Sequence, residues 1–285
     1  MFTTRMVVVK LSDGSLWVES PVAVPFDTLQ RINQLGPVRY LVAATPRHFW
    51  RLEGWHTLFP EAQLWSSRIT LLTLKKLPLP LTGVLVDEPP QAWADDFDQL
   101  VFKGNALLDE VLFFHKQSGT VILDDLIQIH PILKGKPFRN ALFKLEGVGS
   151  PDGGVGLDIR LSFTHRNLAR RSLEKLLSWD FDKLIIAHGD CIEKDAKPFV
   201  REAFRWLAPR KIMSRKVLLF APCAFNLAET SRMVEIAKGV RHHPKASQVF
   251  DVHRPPSRWS ERRSRNRRLY LPNSIKTRNI VAGLL

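Results

Sequence analysis

Leu184-Ile185-Ile186-Ala187-His188-Gly189-Asp190 reads as a short buried strand that ends in a histidine, a glycine and a carboxylate. Four apolar residues in a row, with no polar alternation, suit a central strand covered on both faces. The polar triplet then falls at the carboxyl end of that strand, where open α/β sheets place their ligand sites. Two earlier stretches follow apolar strands in the same way: Thr45-Pro46-Arg47-His48 and Ile122-Leu123-Asp124-Asp125-Leu126. Function turns on whether these three strand ends converge.

Working outward, the N-terminal half is rich in strand signals. Met6–Leu11 and Leu16–Val18 flank Ser12-Asp13-Gly14-Ser15, an Asp-Gly turn between β-rich runs that predicts a hairpin. Pro25 to Leu35 places Phe26, Leu29 and Ile32 at helical spacing and ends at Gly36-Pro37. Val38–Ala43 is the next strand, Glu53–Phe59 a helix closed by Pro60, and Gln63–Trp65 a short strand. The Leu- and Pro-rich stretch 66–96 reads as a loop or lid. Phe97–Phe102, Val111–His115 and Thr120–Leu123 read as three consecutive strands. A helix over 138–146 precedes a soft loop at 147–154, with five glycines or prolines in eight residues. Leu161–Ser178 reads as one long amphipathic helix, and Asp195–Leu207 as a closing helix. The order fits an α/β fold with two packed sheets and helices outside; the same pattern also fits a doubly wound sheet.

The net charge of +14 is unevenly spread. Residues 1–208 carry 25 basic and 24 acidic side chains, whereas 209–285 carry 17 basic and 4 acidic. Basicity is thus a property of the last quarter, and any nucleic-acid argument concerns that quarter alone. No apolar run reaches the roughly 18 residues of a membrane helix, so no membrane partner is expected. The N-terminus lacks a secretory pattern. Cys191 and Cys223 make no disulfide framework. A cytoplasmic location is the resulting expectation.

The strand-end motifs, with Phe59-Pro60-Glu61-Ala62 between them, fall in the order found in the metallo-β-lactamase-fold superfamily. Over residues 6–207 the chain resembles an uncharacterised bacterial branch of that superfamily, a domain of unknown function. The resemblance implies a four-layer αββα sandwich and a metal-dependent hydrolase. The superfamily's first metal motif, His-x-His-x-Asp-His, matches Pro46-Arg47-His48-Phe49-Trp50-Arg51, so that only His48 survives. Its Gly-His turn matches Gly104-Asn105, where the histidine is lost. Its bridging aspartate matches Asp125, with Asp124 beside it, and its last histidine matches His188. The implied metal ligands are therefore His48, Asp125 and His188, holding one zinc or iron ion or none. Asp190 is the implied catalytic group, as a proton-handling or supporting carboxylate. His56, Glu110, His115 and His130 are possible replacement ligands. A zinc site of this type keeps one position open for water, whose pKa drops to about 7. The implied substrate is a small molecule; esters, thioesters, phosphodiesters and lactams are alternatives. A non-catalytic scaffold that kept the fold and lost its metals is the rival expectation.

The domain expectation is 1–208 for this unit, 209–254 for a β-α-β fragment, and 255–285 for a basic, disordered tail forming a C-terminal extension. Residues 213–252 resemble the first unit of a two-domain glycosyltransferase, too short to act as one. A joined neighbouring reading frame, changing near 254, is one explanation. A basic arm that holds nucleic-acid phosphates is the other.

Overall fold

The computed structural model describes residues 3–74 and 79–208, together with the backbone of 278–284. The expected fragment at 209–254, with its glycosyltransferase resemblance, lies outside the described residues. So does most of the expected disordered segment. Residues 278–284, however, form a strand.

The first sheet grows from the hairpin. Strands β1 (Thr3–Lys10) and β2 (Leu16–Glu19) pair antiparallel, and Asp13 Oδ1 accepts the Ser15 amide at 2.8 Å to fix the turn between them. Helix α1 (Phe26–Leu35) then carries the chain to β3 (Val38–Ala43), parallel to β2. Helix α2 (Leu52–Leu58) leads to β4 (Gln63–Ser66), parallel to β3. Helix α3 (Arg68–Leu74) leads to β5 (Leu81–Val84), parallel to β4. The second sheet is a meander of β6 (Phe97–Phe102), β7 (Glu110–His115) and β8 (Thr120–Leu123), to which β9 (Lys183–Ile186) adds parallel to β8. Helices α4 (Pro137–Leu145), α5 (Leu157–Ser162) and α6 (Arg166–Ser178) lie between β8 and β9, and α7 (Ala196–Ala203) follows. The last strand, β10 (Arg278–Leu284), runs parallel to β1 at the edge of the first sheet.

Three apolar clusters set the order of layers. Between the sheets, Val7, Val9, Trp17, Tyr40 and Val42 meet Phe97, Val111, Phe113, Ile122 and Ile185. On the outer face of the first sheet, Met6, Val8, Leu41 and Leu64 pack against Ile32 of α1 and Leu52 and Trp55 of α2. On the outer face of the second, Val121, Leu123, Leu184 and Ile186 pack against Ala169 and Leu176 of α6 and Val200 of α7. Successive residues of β1, β8 and β9 thus enter different cores. That is why these strands read as unbroken apolar runs rather than alternating ones. None of the helices among the described residues is long and apolar enough to cross a membrane.

Two expectations are corrected. The stretch 66–96 is not simply a loop, since it contains α3 and β5. The start of α3 is held by Asp109, 40 residues away, whose Oδ2 accepts the Ile69 amide at 2.7 Å. Ser67 Oγ completes the cap locally by accepting the Thr70 amide at 3.3 Å, a Ser-x-x-Thr signal that the reading of 66–96 as a loop passed over. Gly83 in β5 is also required by its neighbour, because a Cβ there would lie 2.3 Å from the Trp65 ring. The single helix expected over 161–178 is two helices. Phe163 turns inward to meet Phe102 and Trp206, with ring centroids 5.8 Å and 5.3 Å away, and the His165 amide bonds Gly104 O at 3.0 Å. Tertiary packing overrides the helical periodicity at that point.

Trp17 is fully buried between the sheets, with Phe97 and Phe113 each 4.8 Å away. Trp17→Ala should therefore cost about 3–5 kcal/mol of stability, read as a lowered urea midpoint.

Candidate functional site

The three strand ends converge. Thr45 and His48 follow β3, Asp124 and Asp125 follow β8, and His188 follows β9. His188 Nε2 lies 3.2 Å from Asp125 Oδ1, and His48 Nε2 lies 3.4 Å from the same oxygen. The two Nε2 atoms are 3.2 Å apart. These three residues form the one group of potential metal-binding side chains found among the described residues. Asp125 and His48 are buried, and His188 is partly open.

Neighbours fix how each side chain points. Thr45 Oγ1 donates to Asp125 Oδ2 at 3.1 Å, leaving Oδ1 for the histidines. Thr4 Oγ1 meets His48 Nδ1 at 3.3 Å, which turns Nε2 toward the centre. On the His188 loop, the Ile129 amide bonds His188 O at 2.8 Å. A Cβ on Gly189, whose φ is +124°, would lie 2.2 Å from Ile129 O. Only glycine allows that approach at that backbone angle. The Arg5 guanidinium reaches from β1 to the same loop, donating to Gly189 O at 2.9 Å and to Ile186 O.

The surroundings are acidic and dry. Glu110, on β7, accepts the amides of Asp124 at 2.7 Å and of Asp125 and Leu126 at 2.9 Å. Ser20 Oγ donates to Asp124 Oδ2 at 2.8 Å and also meets Glu19. Burial, together with Asp124, pushes the Glu19 carboxyl well above its ordinary pKa; burial with Asp125 and Asp124 does the same to Glu110. Burial alone would strip the charge from His48, yet Asp125, Asp124 and Glu110 outweigh it and lift its pKa to about 9. Burial likewise opposes the charge on Asp125, but His48 and His188 hold its carboxyl well below the usual range. The site is thus a buried acidic pocket that draws in positive charge.

The donor set fits a metal ion. Zinc bonds of about 2.0–2.2 Å in tetrahedral geometry put neighbouring donor atoms about 3.3–3.6 Å apart. The observed edges of 3.2, 3.2 and 3.4 Å lie close to that range. Two imidazole nitrogens with one carboxylate oxygen suit zinc or iron.

The other sequence candidates sit elsewhere. Asp190 is exposed and, among the described residues, hydrogen-bonds neither His188 nor a helix start. Glu110 faces backbone amides. His115 bonds Ser118 Oγ at 2.8 Å, at the opposite end of β7 from Glu110. His56 lies in α2, outside the cluster. His130 stacks toward His188 at 6.1 Å and bonds Gln128 Oε1 at 2.8 Å; burial and His188 lower its pKa to about 4. At the lost ligand positions, Trp50 points to solvent, and Asn105 Oδ1 caps a turn by accepting the Leu107 and Leu108 amides. The sequence reading missed Thr4, Arg5, Glu19, Ser20 and Thr45. The available signal was a charged or hydroxyl side chain at the end of, or inside, a fully apolar strand.

Residues 1–134 match the family model described as a domain of unknown function, DUF4336. No curated protein matches the chain by sequence. Among solved structures, the chain is similar to a fragment of a diflavin flavoprotein from Nostoc sp. PCC 7120, at 12% identity and a TM-score of 0.49, covering 70% of this chain and 81% of that one. It is also similar to a metallo-β-lactamase from Pontibacter korlensis, at 11% identity and a TM-score of 0.44, covering 67% and 82%. A flavoprotein from Thermotoga maritima aligns at 13% identity and a TM-score of 0.46 over 67% of this chain; the chain spans about half (49%) of that protein.

The raised His48 pKa has a testable consequence in metal-free protein. The folded value, about 9, lies above the ordinary 6.5, so the stability it contributes is complete below pH 6.5 and is lost as pH rises to about 9. Urea unfolding across that window should show falling stability, and His48→Ala should reduce that slope, the raised carboxyls of Glu19 and Glu110 contributing in the same direction. A flat profile in the unmutated chain would contradict the charge on His48.

Proposed function

We propose that the chain is a metal-dependent hydrolase of the metallo-β-lactamase-like type, with a single-ion site made by His48, Asp125 and His188. The observation that carries this reading is the triangle of donor atoms with edges of 3.2, 3.2 and 3.4 Å. The helix-sheet-sheet-helix layering and the placement of all three donors on strand-end loops support it. A bound zinc or iron ion would supply Lewis acidity, polarising a carbonyl or phosphoryl oxygen.

The chain's own residues do the rest. Asp125 Oδ1 and the two Nε2 atoms hold the ion. Thr45 orients Asp125, and Thr4 orients the His48 ring by engaging Nδ1, the kind of support that metal-bound histidines need. The Glu110 carboxyl holds the Asp125 backbone in place. Apolar walls on both sheets keep bulk water from the carboxylates, which strengthens every charge interaction inside. Asp190, being exposed, has no assigned step.

A second reading is a non-catalytic binding protein. The residues at the other ligand positions favour it, since Pro46, Trp50 and Arg51 supply no metal donors and Asn105 is engaged in a turn.

Elemental analysis of the purified full chain separates the two. The first reading expects about one zinc or iron per chain, lost in both His48→Ala and His188→Ala. A chain that stays metal-free after incubation with excess zinc and iron would exclude it and leave the binding protein.

A further inference from the structure

The stretch 131–145, Pro-Ile-Leu-Lys-Gly-Lys-Pro-Phe-Arg-Asn-Ala-Leu-Phe-Lys-Leu, carries four cations and no acid. Its helix, α4, buries a single side chain, Phe143, which stacks on His130 with ring centroids 4.3 Å apart. The opposite face is apolar and faces solvent. Phe138 is 84% exposed, Leu145 80% and Leu142 41%, at i, i+7 and i+4, so they form one stripe along the helix. Ile132, just before the helix, is 68% exposed. Lys144 flanks the stripe on one side and is exposed, whereas Arg139, on the other, folds its guanidinium back over the Phe143 ring at 4.3 Å and donates to Pro131 O at 3.0 Å. Lys134 and Lys136 precede the helix and are exposed.

We propose that α4 is a membrane-surface anchor, lying in the headgroup layer of an anionic bilayer with Phe138, Leu142 and Leu145 toward the hydrocarbon. Charge complementarity selects this occupant. An apolar stripe edged by cations is the pattern of helices that lie in the plane of an anionic interface. A nucleic-acid backbone would satisfy the cations and leave the stripe in water. A second copy of the chain, docked stripe to stripe, would set the same cations against each other. The anchor is short, about 13 Å, so it gives reversible association, with a charge-dependent part that salt removes and an apolar part that salt leaves. It needs no spanning segment, which is the requirement behind the expectation of no membrane partner. The inference stands independently of the metal reading.

The test is co-sedimentation of the full chain with vesicles of phosphatidylcholine alone and of phosphatidylcholine with phosphatidylglycerol. The basic residues beyond 208 will themselves attract anionic vesicles, so the deciding measurement is binding that survives high salt, where surface charge is screened. The full chain should bind the anionic vesicles and keep part of that binding at high salt. A Leu142→Asp, Leu145→Asp double variant should lose the salt-resistant part, with partitioning at least about tenfold weaker. Its circular dichroism should still report the native fold, because Leu145 is 80% exposed and Leu142 lies partly open to water. Equal binding by the variant would assign the attraction to the basic residues elsewhere and overturn the proposal. Absence of any salt-resistant binding would overturn it too. So would an unmutated chain that is dimeric by light scattering and becomes monomeric in the variant, which would make the stripe a self-association face.

Discussion

Asp125 Oδ1 is shared by two imidazole nitrogens, 3.2 Å from His188 and 3.4 Å from His48, in a place nearly closed to water. Around it the fold buries three more carboxyl groups, Glu19, Asp124 and Glu110. Such a group is expensive to bury without positive charge beside it. Three responses are open to this chain: protons kept on Glu19 and Glu110, whose carboxyls are pushed well above their ordinary pKa, a proton on His48, or a cation held by the three donors. The same electrostatic demand explains both the raised pKa of His48 and the fit of the donor set to a metal ion.

This constraint reaches well beyond the ligands. His48 sits on the first sheet, while Asp125 and His188 sit on the second, so the site exists only while the two sheets hold their spacing. The Trp17, Phe97 and Phe113 cluster sets that spacing from within. Arg5 adds a polar tie at the rim, running from β1 to the backbone of the β9 loop. Glu110 does the equivalent work inside the second sheet, collecting the three amides that follow β8. Each tie ends on backbone, so the loops are positioned by main-chain contacts and the ligand side chains remain available.

The central parts of the fold were legible because they are dictated locally. Unbroken apolar runs marked β8 and β9, a largely apolar one marked β3, and the Asp13-Gly14 turn marked the hairpin. The residues following those runs gave His48, Asp125 and His188. What could not be read was whatever depends on distant partners. Part of the cap of α3 comes from Asp109, the break after α5 comes from Phe163 packing on Phe102, and β10 pairs with a strand more than 270 residues earlier. Glu110 shows the same limit within the site. Its residue type suggested a ligand, whereas its position on β7 aims it at amides, a distinction of register that composition does not carry.

The three retained donors also bear on the choice between catalyst and scaffold. Had the fold shed its metal chemistry altogether, nothing in folding physics would favour keeping four buried carboxyl groups and two histidines around one point, because apolar replacements of similar volume are commonly as stable or more so. Pro46, Trp50, Arg51 and Asn105 all lie outside the triangle. The donors that remain point at one another, and their orienting partners Thr4 and Thr45 remain with them. That combination favours the proposed single-ion site over the binding-protein reading.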